Sequence, residues 1–148
     1  MEYPKELIQE ASLRMNGRPV EGFIAGQGPL HPKLMLVGEA PGKTEIDTHV
    51  PFSGQAGKEL MQALSSTGLT REEVYITSAV RSRPYRVTHR INKRTQQSET
   101  VYPNRTPTRS EVFAHAPILD YELMKVQPKL IATLGNIGLQ RLLGKEYK

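Results

Sequence analysis

The sequence predicts a layered α/β fold with parallel strand pairing. Strand-like and helix-like stretches alternate in the order α, β, α, β, loop, α, β, α, and strands separated by helices pair in parallel. The 148 residues suit one domain. No internal repeat points to a solenoid.

The elements follow from local patterns. Residues 4–15 read as a short amphipathic helix with Leu7, Ile8, Ala11 and Met15 on one side. Residues 16–32 are rich in Gly and Pro and read as loop, and residues 33–37 as an apolar strand. A Gly/Pro turn and a loop to Gly54 come next. Residues 55–66 place Ala56, Leu60, Ala63 and Leu64 on one helical face, with Gly68 as the stop. Val74 to Val80 is β-prone. Thr108-Arg109-Ser110-Glu111 has capping-box spacing and starts a helix to Val126, which Pro117 is expected to kink or split. Pro128 precedes a third strand, residues 129–134, and Gly135 opens a last helix. Three strands make a small sheet for this length, so the domain is expected to be incomplete at its C-terminus.

Composition narrows the function. No run of about 18 apolar residues occurs, so no membrane helix is expected. The first residues lack an apolar signal core, which points to the cytoplasm. With no cysteine, disulfides, thiol catalysis and Cys-ligated metals are excluded. The net charge is +5, and it is concentrated. Residues 81–109 hold eight Lys/Arg against one acid, Glu99, so that segment carries +7 and the rest of the chain −2. Such a stretch reads either as the footprint of a polyanion contact or as a solvated loop.

The turn after the first strand, VGEAPGKTE (residues 37–45), raises the possibility of a phosphate-binding P-loop. That motif needs four residues between its glycines. Gly38 and Gly42 enclose three, one of which, Pro41, has no N–H to donate, and Glu39 would set a carboxylate beside the phosphates. What remains is a Gly/Pro turn at the carboxyl edge of a parallel sheet, where ligands of open α/β sheets bind. Lys43 and Thr44 are left without a role.

Four stretches carry a resemblance. GEAPGKTEIDTHVPFSGQAGKEL, REEVYITSAVRSRP, NRTPTRSE and QPKLIATLGNIGLQRLLG are similar, in that order, to motifs of the uracil-DNA glycosylase superfamily, nearest to its family 4 branch. The similarity spans about residues 33–144. It implies a three-layer α/β/α sandwich with a mainly parallel sheet. It also implies hydrolysis of the N-glycosidic bond of a deaminated base, uracil foremost, flipped out of DNA. A glycosylase-fold module that binds nucleic acid without catalysis is the alternative.

Carried over residue by residue, the resemblance puts Gly38, Glu39 and Ala40 in the base pocket, with their backbone on the base carbonyls. Phe52 would stack on the base, Glu45 would position or activate the attacking water, and Glu39 would add negative charge. Ser78 stands where the family has an Asn that reads the uracil edge. A hydroxyl is shorter and cannot make the same pair of hydrogen bonds. The family's four iron–sulfur cysteines match Ala11, Arg14, Ser82 and His115, so no cofactor and no metal are expected. Asp47 and His49 read as exposed loop residues or, less simply, as an acid/base pair. The family's last motif, H-P-[SA], is not found after the last helix, and the chain as given is expected to be slow or inactive.

Residues 85–107 form a basic loop insertion longer than the family's usual connection. Arg83, Arg86, Arg90, Lys93, Arg94 and Arg105 are expected on DNA phosphates. The partners implied are DNA containing a damaged base and free uracil as product, with no membrane, and the protein is expected to act as a monomer.

Overall fold

The structure, a computed structural model, describes residues 1–148. In chain order it contains α1 (Lys5–Met15), β1 (Val20–Glu21), β2 (Leu34–Gly38), α2 (Lys43–Thr48) and α3 (Gln55–Ser66). A 3-10 turn, Arg71–Glu73, leads to β3 (Tyr75–Ser78), β4 (Arg83–Pro84), β5 (Thr88–Ile91) and β6 (Ser98–Val101). α4 (Arg109–Val126), β7 (Leu130–Thr133) and α5 (Asn136–Leu143) complete it.

The central sheet is parallel, in the order β3-β2-β7. Its side chains alternate between two cores. Met35, Val37 and Tyr75 face Leu119, Leu123 and Val126 of α4 and Leu142 of α5. Leu36 and Ile76 face Leu60, Met61 and Leu64 of α3. Helices therefore cover both faces, and the layers are α/β/α as expected. The chain steps from β2 to β3 on one side and from β3 past β2 to β7 on the other. That reversal falls between β2 and β7, and ligands of such sheets bind outside the carboxyl ends of the strands. Gln27 pairs with Ile76 and covers the outer edge of β3, whereas on the opposite edge Leu130 and Ile131 are exposed.

Four expectations change. The loop expected after Pro41 contains α2, a six-residue helix, which begins where Glu45 accepts a hydrogen bond from the Gly42 amide at 3.0 Å. The Gly/Pro-rich stretch 16–32 is not all loop: β1 pairs antiparallel with β4. Pro117 neither splits nor ends α4, which runs unbroken over 18 residues. The capping box that starts it is formed, with Glu111 N–H donating to Thr108 Oγ1 and Thr108 N–H to Glu111 Oε2. Finally, the basic insertion is not a loop. β5 and β6 form an antiparallel hairpin, His89 opposite Thr100 and Arg90 opposite Glu99.

Beneath α4 lies a buried polar cluster. Glu122 forms an ion pair with Arg81, both side chains being fully enclosed. It also accepts hydrogen bonds from Tyr75 (2.6 Å), Thr77 (2.9 Å) and Tyr3 (2.9 Å). Buried charges persist only when partnered in this way. No helix is long and apolar enough to cross a membrane.

Candidate functional site: a cleft at the sheet edge

A cavity of about 650 Å³ opens at the carboxyl edge of the sheet. The turn 39–42 and the start of α2 form one wall, Pro51, Phe52 and the start of α3 a second, and Ser78, Arg86 and residues 104–106 the remainder. Of the residues expected there, Glu39, Ala40, Glu45, Phe52 and Ser78 all line it, and Gly38 lies directly behind Phe52.

The backbone supplies donors. Glu39 and Gly38 accept from the Val80 and Ala79 amides at 3.0 and 2.9 Å, which ties the turn to the residues after β3. The amides of Glu39 and Ala40 themselves have no acceptor within the protein, so two N–H groups are free at the strand end.

Phe52 has left-handed backbone, φ 53°, which costs a non-glycine residue roughly 1–2 kcal/mol. Several contacts hold it there. Arg71 donates to the carbonyls of Pro51 and Phe52. Gly57 in α3 sits so close to the Phe52 carbonyl that a side chain would overlap it. The edge of the ring comes so close to Gly38 that a Cβ there would be 2.6 Å from Cε2. Strain held by surrounding contacts is a common property of ligand clamps.

Glu45 is a clamp. Its carboxylate accepts from the Gly42 amide and the Gly54 amide, both at 3.0 Å, and so joins the turn to the start of α3. Two charge-assisted hydrogen bonds fix its position and leave lone pairs for a further donor. The Glu39 side chain lies against Gly135, at the start of α5. The Ser78 hydroxyl donates to the Val80 carbonyl at 2.7 Å. Its proton is therefore used, and it faces the cavity as an acceptor. Asp47 pairs with Lys43 at 3.1 Å on the exposed side of α2, so the Asp47–His49 acid/base pair does not form. Lys43 and Thr44 nonetheless line the cavity.

The six basic residues expected on DNA divide. Arg83 is a correction: it is 4% exposed, and its guanidinium bonds Glu21, Asn104 and the Tyr102 carbonyl. Arg105 is a second. It is held by Glu111 at 2.7 and 3.0 Å and by the carbonyls of Tyr85 and Pro19, and the bond to Glu111 raises its pKa. Arg105 has as many bonds as donors, and Arg83 keeps two N–H groups but is enclosed. Arg90 pairs with Glu99 at 2.6 Å but is exposed. Arg86, Lys93 and Arg94 are exposed, and their side chains have no acidic partner. The residues not anticipated are Asn104, which lines the cavity and buttresses Arg83, and Arg71, which holds Phe52. Both open motifs that carry the resemblance, but only their contacts show what they do.

A profile of the Uracil DNA glycosylase superfamily matches residues 25–147. The chain belongs to this superfamily. It is 36% identical over 120 residues to the type-4 uracil-DNA glycosylase of Pyrobaculum aerophilum, covering 81% of this chain and 53% of that protein. With the type-4 uracil-DNA glycosylase of Thermotoga maritima it shares 34% over 138 residues, 90% of this chain and 63% of that one. The same-named protein of Archaeoglobus fulgidus is 35% identical over 118 residues, 80% and 51% respectively. The chain thus spans about half the length of most of these uracil-DNA glycosylases.

Three of the four positions matched to cluster cysteines lie together. Ala11, Ser82 and His115 line a second cavity of about 340 Å³ beside α1. Arg14 turns outward to Glu10. Ala11 has no donor. Nδ1 of His115 is engaged with the Glu111 carbonyl at 3.0 Å, and no group of three His, Cys, Asp or Glu side chains gathers anywhere. An iron–sulfur cluster needs four thiolates, so these residues do not fit one. Packing of Met15, Val80 and Ala114 holds the region together.

Proposed function

We propose that the 650 Å³ cleft is a base pocket and that the protein hydrolyses the N-glycosidic bond of a deaminated base in DNA, uracil foremost. The observation that carries this is the pairing of two free amides, Glu39 and Ala40, with the Phe52 ring clamped across the same cavity. A flipped base needs a face to stack on and donors for its carbonyls. Stacking is worth roughly 1–3 kcal/mol per base. As the bond breaks, the base leaves as an anion, which the two N–H groups stabilise, while the sugar becomes cation-like beside the Glu39 and Glu45 carboxylates. Glu45, fixed by Gly42 and Gly54, is suited to orient the attacking water with its remaining lone pairs. Ser78, an acceptor only, suits the N3–H of uracil. DNA would be held by Arg86, Arg90, Lys93 and Arg94.

Ser78 also supports a second reading. With its proton committed to Val80 it gives no donor to the uracil O4, which favours a binding module without efficient catalysis.

Oligonucleotides carrying uracil, hypoxanthine or xanthine, incubated with the protein and then treated with alkali, separate the readings. Strand cleavage at one lesion supports the enzyme. Binding of free uracil without cleavage supports the module, and neither result would sink the pocket. If cleavage occurs, Glu45→Gln should lower its rate by about 10²–10⁴ while uracil is still bound. A parallel loss of binding would leave Glu45 as a clamp alone.

A further inference from the structure

The hairpin is the least explained part of the molecule. β5 and β6 pair with each other and pack extensively on no other element. A lone two-stranded hairpin is marginal in water, yet the root of this one is built solidly. Tyr85 and Tyr102 meet edge to face at 5.7 Å. Arg83 binds the Tyr102 carbonyl and Asn104, and Arg105 binds the Tyr85 carbonyl at 2.9 Å. The tip is ordered too. Asn92 Oδ1 accepts from the amides of Arg94 and Thr95 at 2.9 and 3.2 Å. Lys93 and Arg94 are thereby displayed on a fixed turn. At the other end, Arg86 lies at the mouth of the cleft.

We propose that this hairpin is a duplex-DNA arm. It lies along the double helix on one side of the extruded base, so the substrate is double-stranded and must extend beyond the lesion on that side. The proposal rests on the reading of the cleft as a base pocket and adds the form of DNA it serves. Between Arg86 and Val101 the arm carries four cations, Arg86, Arg90, Lys93 and Arg94, against one acid, Glu99. Over the same residues it has no Phe, Tyr or Trp. Single strands are gripped by stacking on aromatic side chains, which the arm lacks. Duplexes are gripped through phosphates, and their major groove admits a two-stranded ribbon. Reach follows from chain geometry. Seven extended residues separate Arg86 from Lys93, about 23 Å at roughly 3.3 Å each. Phosphates recur about every 3.4 Å of axis along a strand, so the tip falls six or seven base pairs from the lesion.

The test is a salt titration of Lys93→Ala/Arg94→Ala against the unaltered protein on a 30-base-pair uracil-containing duplex, and on its uracil strand alone. On the duplex, the slope of log K against log salt should become shallower by about 1.8, two contacts at roughly 0.9 each. On the single strand the slopes should coincide. The duplex difference should vanish when the uracil stands within five base pairs of one end, and persist near the other end. An unchanged duplex slope, or equal changes on both substrates, overturns the arm. A second variant with residues 87–101 replaced by Gly-Gly also removes Arg90, so its duplex slope should become shallower by about 2.7, again with no difference on the single strand, and thermal melting of both checks that the fold survives. Free uracil binding to the unaltered protein reports on the pocket separately. If it is absent while the duplex-specific slope change remains, the pocket reading fails and the arm stands.

Discussion

Replacing Gly38 with Ala isolates the contact between the sheet and the Phe52 ring. A Cβ at that position would sit 2.6 Å from Phe52 Cε2, whereas carbon atoms pack comfortably at about 3.5–4.0 Å. The ring must therefore move by about 1 Å or more. It cannot retreat with its backbone, because Gly57 abuts the Phe52 carbonyl and Arg71 holds the carbonyls of residues 51 and 52. The remaining way is into the cleft, where the base would lie. Loss of the stacking surface costs roughly 1–3 kcal/mol, which weakens uracil about 5- to 150-fold. Overpacking costs stability as well, roughly 1–3 kcal/mol. Calorimetry with free uracil measures the first effect and urea denaturation the second. In a Phe52→Ala background the Gly38→Ala change should have no further effect on uracil. Unchanged affinity in the single variant, or the same loss in both backgrounds, would refute the steric route.

Two more predictions concern what holds the pocket's supports in place. Glu122→Ala leaves Arg81 buried without its partner and strands Tyr3, Tyr75 and Thr77, so stability should fall by about 3–5 kcal/mol in urea denaturation. The double change Arg81→Met/Glu122→Leu should cost much less, since it removes both charges. Burial lowers the pKa of His115 below the ordinary 6.5. The unfolded chain then binds the proton more readily than the folded one, so stability is full above about pH 6.5 and declines as pH falls from there towards the folded-state value. His115→Gln should flatten that decline between pH 7 and 5, as read from denaturation midpoints.

The sandwich was legible because its signals are local. Apolar runs at residues 34–38 and 75–78 sit between helices whose periodicity, caps and stops lie in the sequence itself, and α3 and the Thr108 capping box formed where the pattern put them. α2 was hidden because six residues are too few for a period, and its start depends on the Glu45 side chain closing back on Gly42. The hairpin was hidden because its strands, THRI and SETV, are mostly polar and lack the apolar/polar alternation that marks a half-buried strand. The pocket residues 39, 40, 45, 52 and 78 were found through motif order. Arg71 and Asn104 act through contacts about 20 residues away, which no spacing rule encodes.

The sequence by itself determined the layer order, the parallel sheet, the turn at its carboxyl edge and the lack of thiolates. Each is a property of residue types or of short-range pattern. Which cations face solvent was decided only by tertiary structure. The basic stretch reads as one uniform patch, yet Arg81 is enclosed with Glu122, Arg83 with Glu21 and Arg105 with Glu111. Arg86, Lys93 and Arg94 are left outside. Burial makes the difference. A guanidinium removed from water must find carboxylates and carbonyls, and those partners come together only when distant segments of the chain fold against one another.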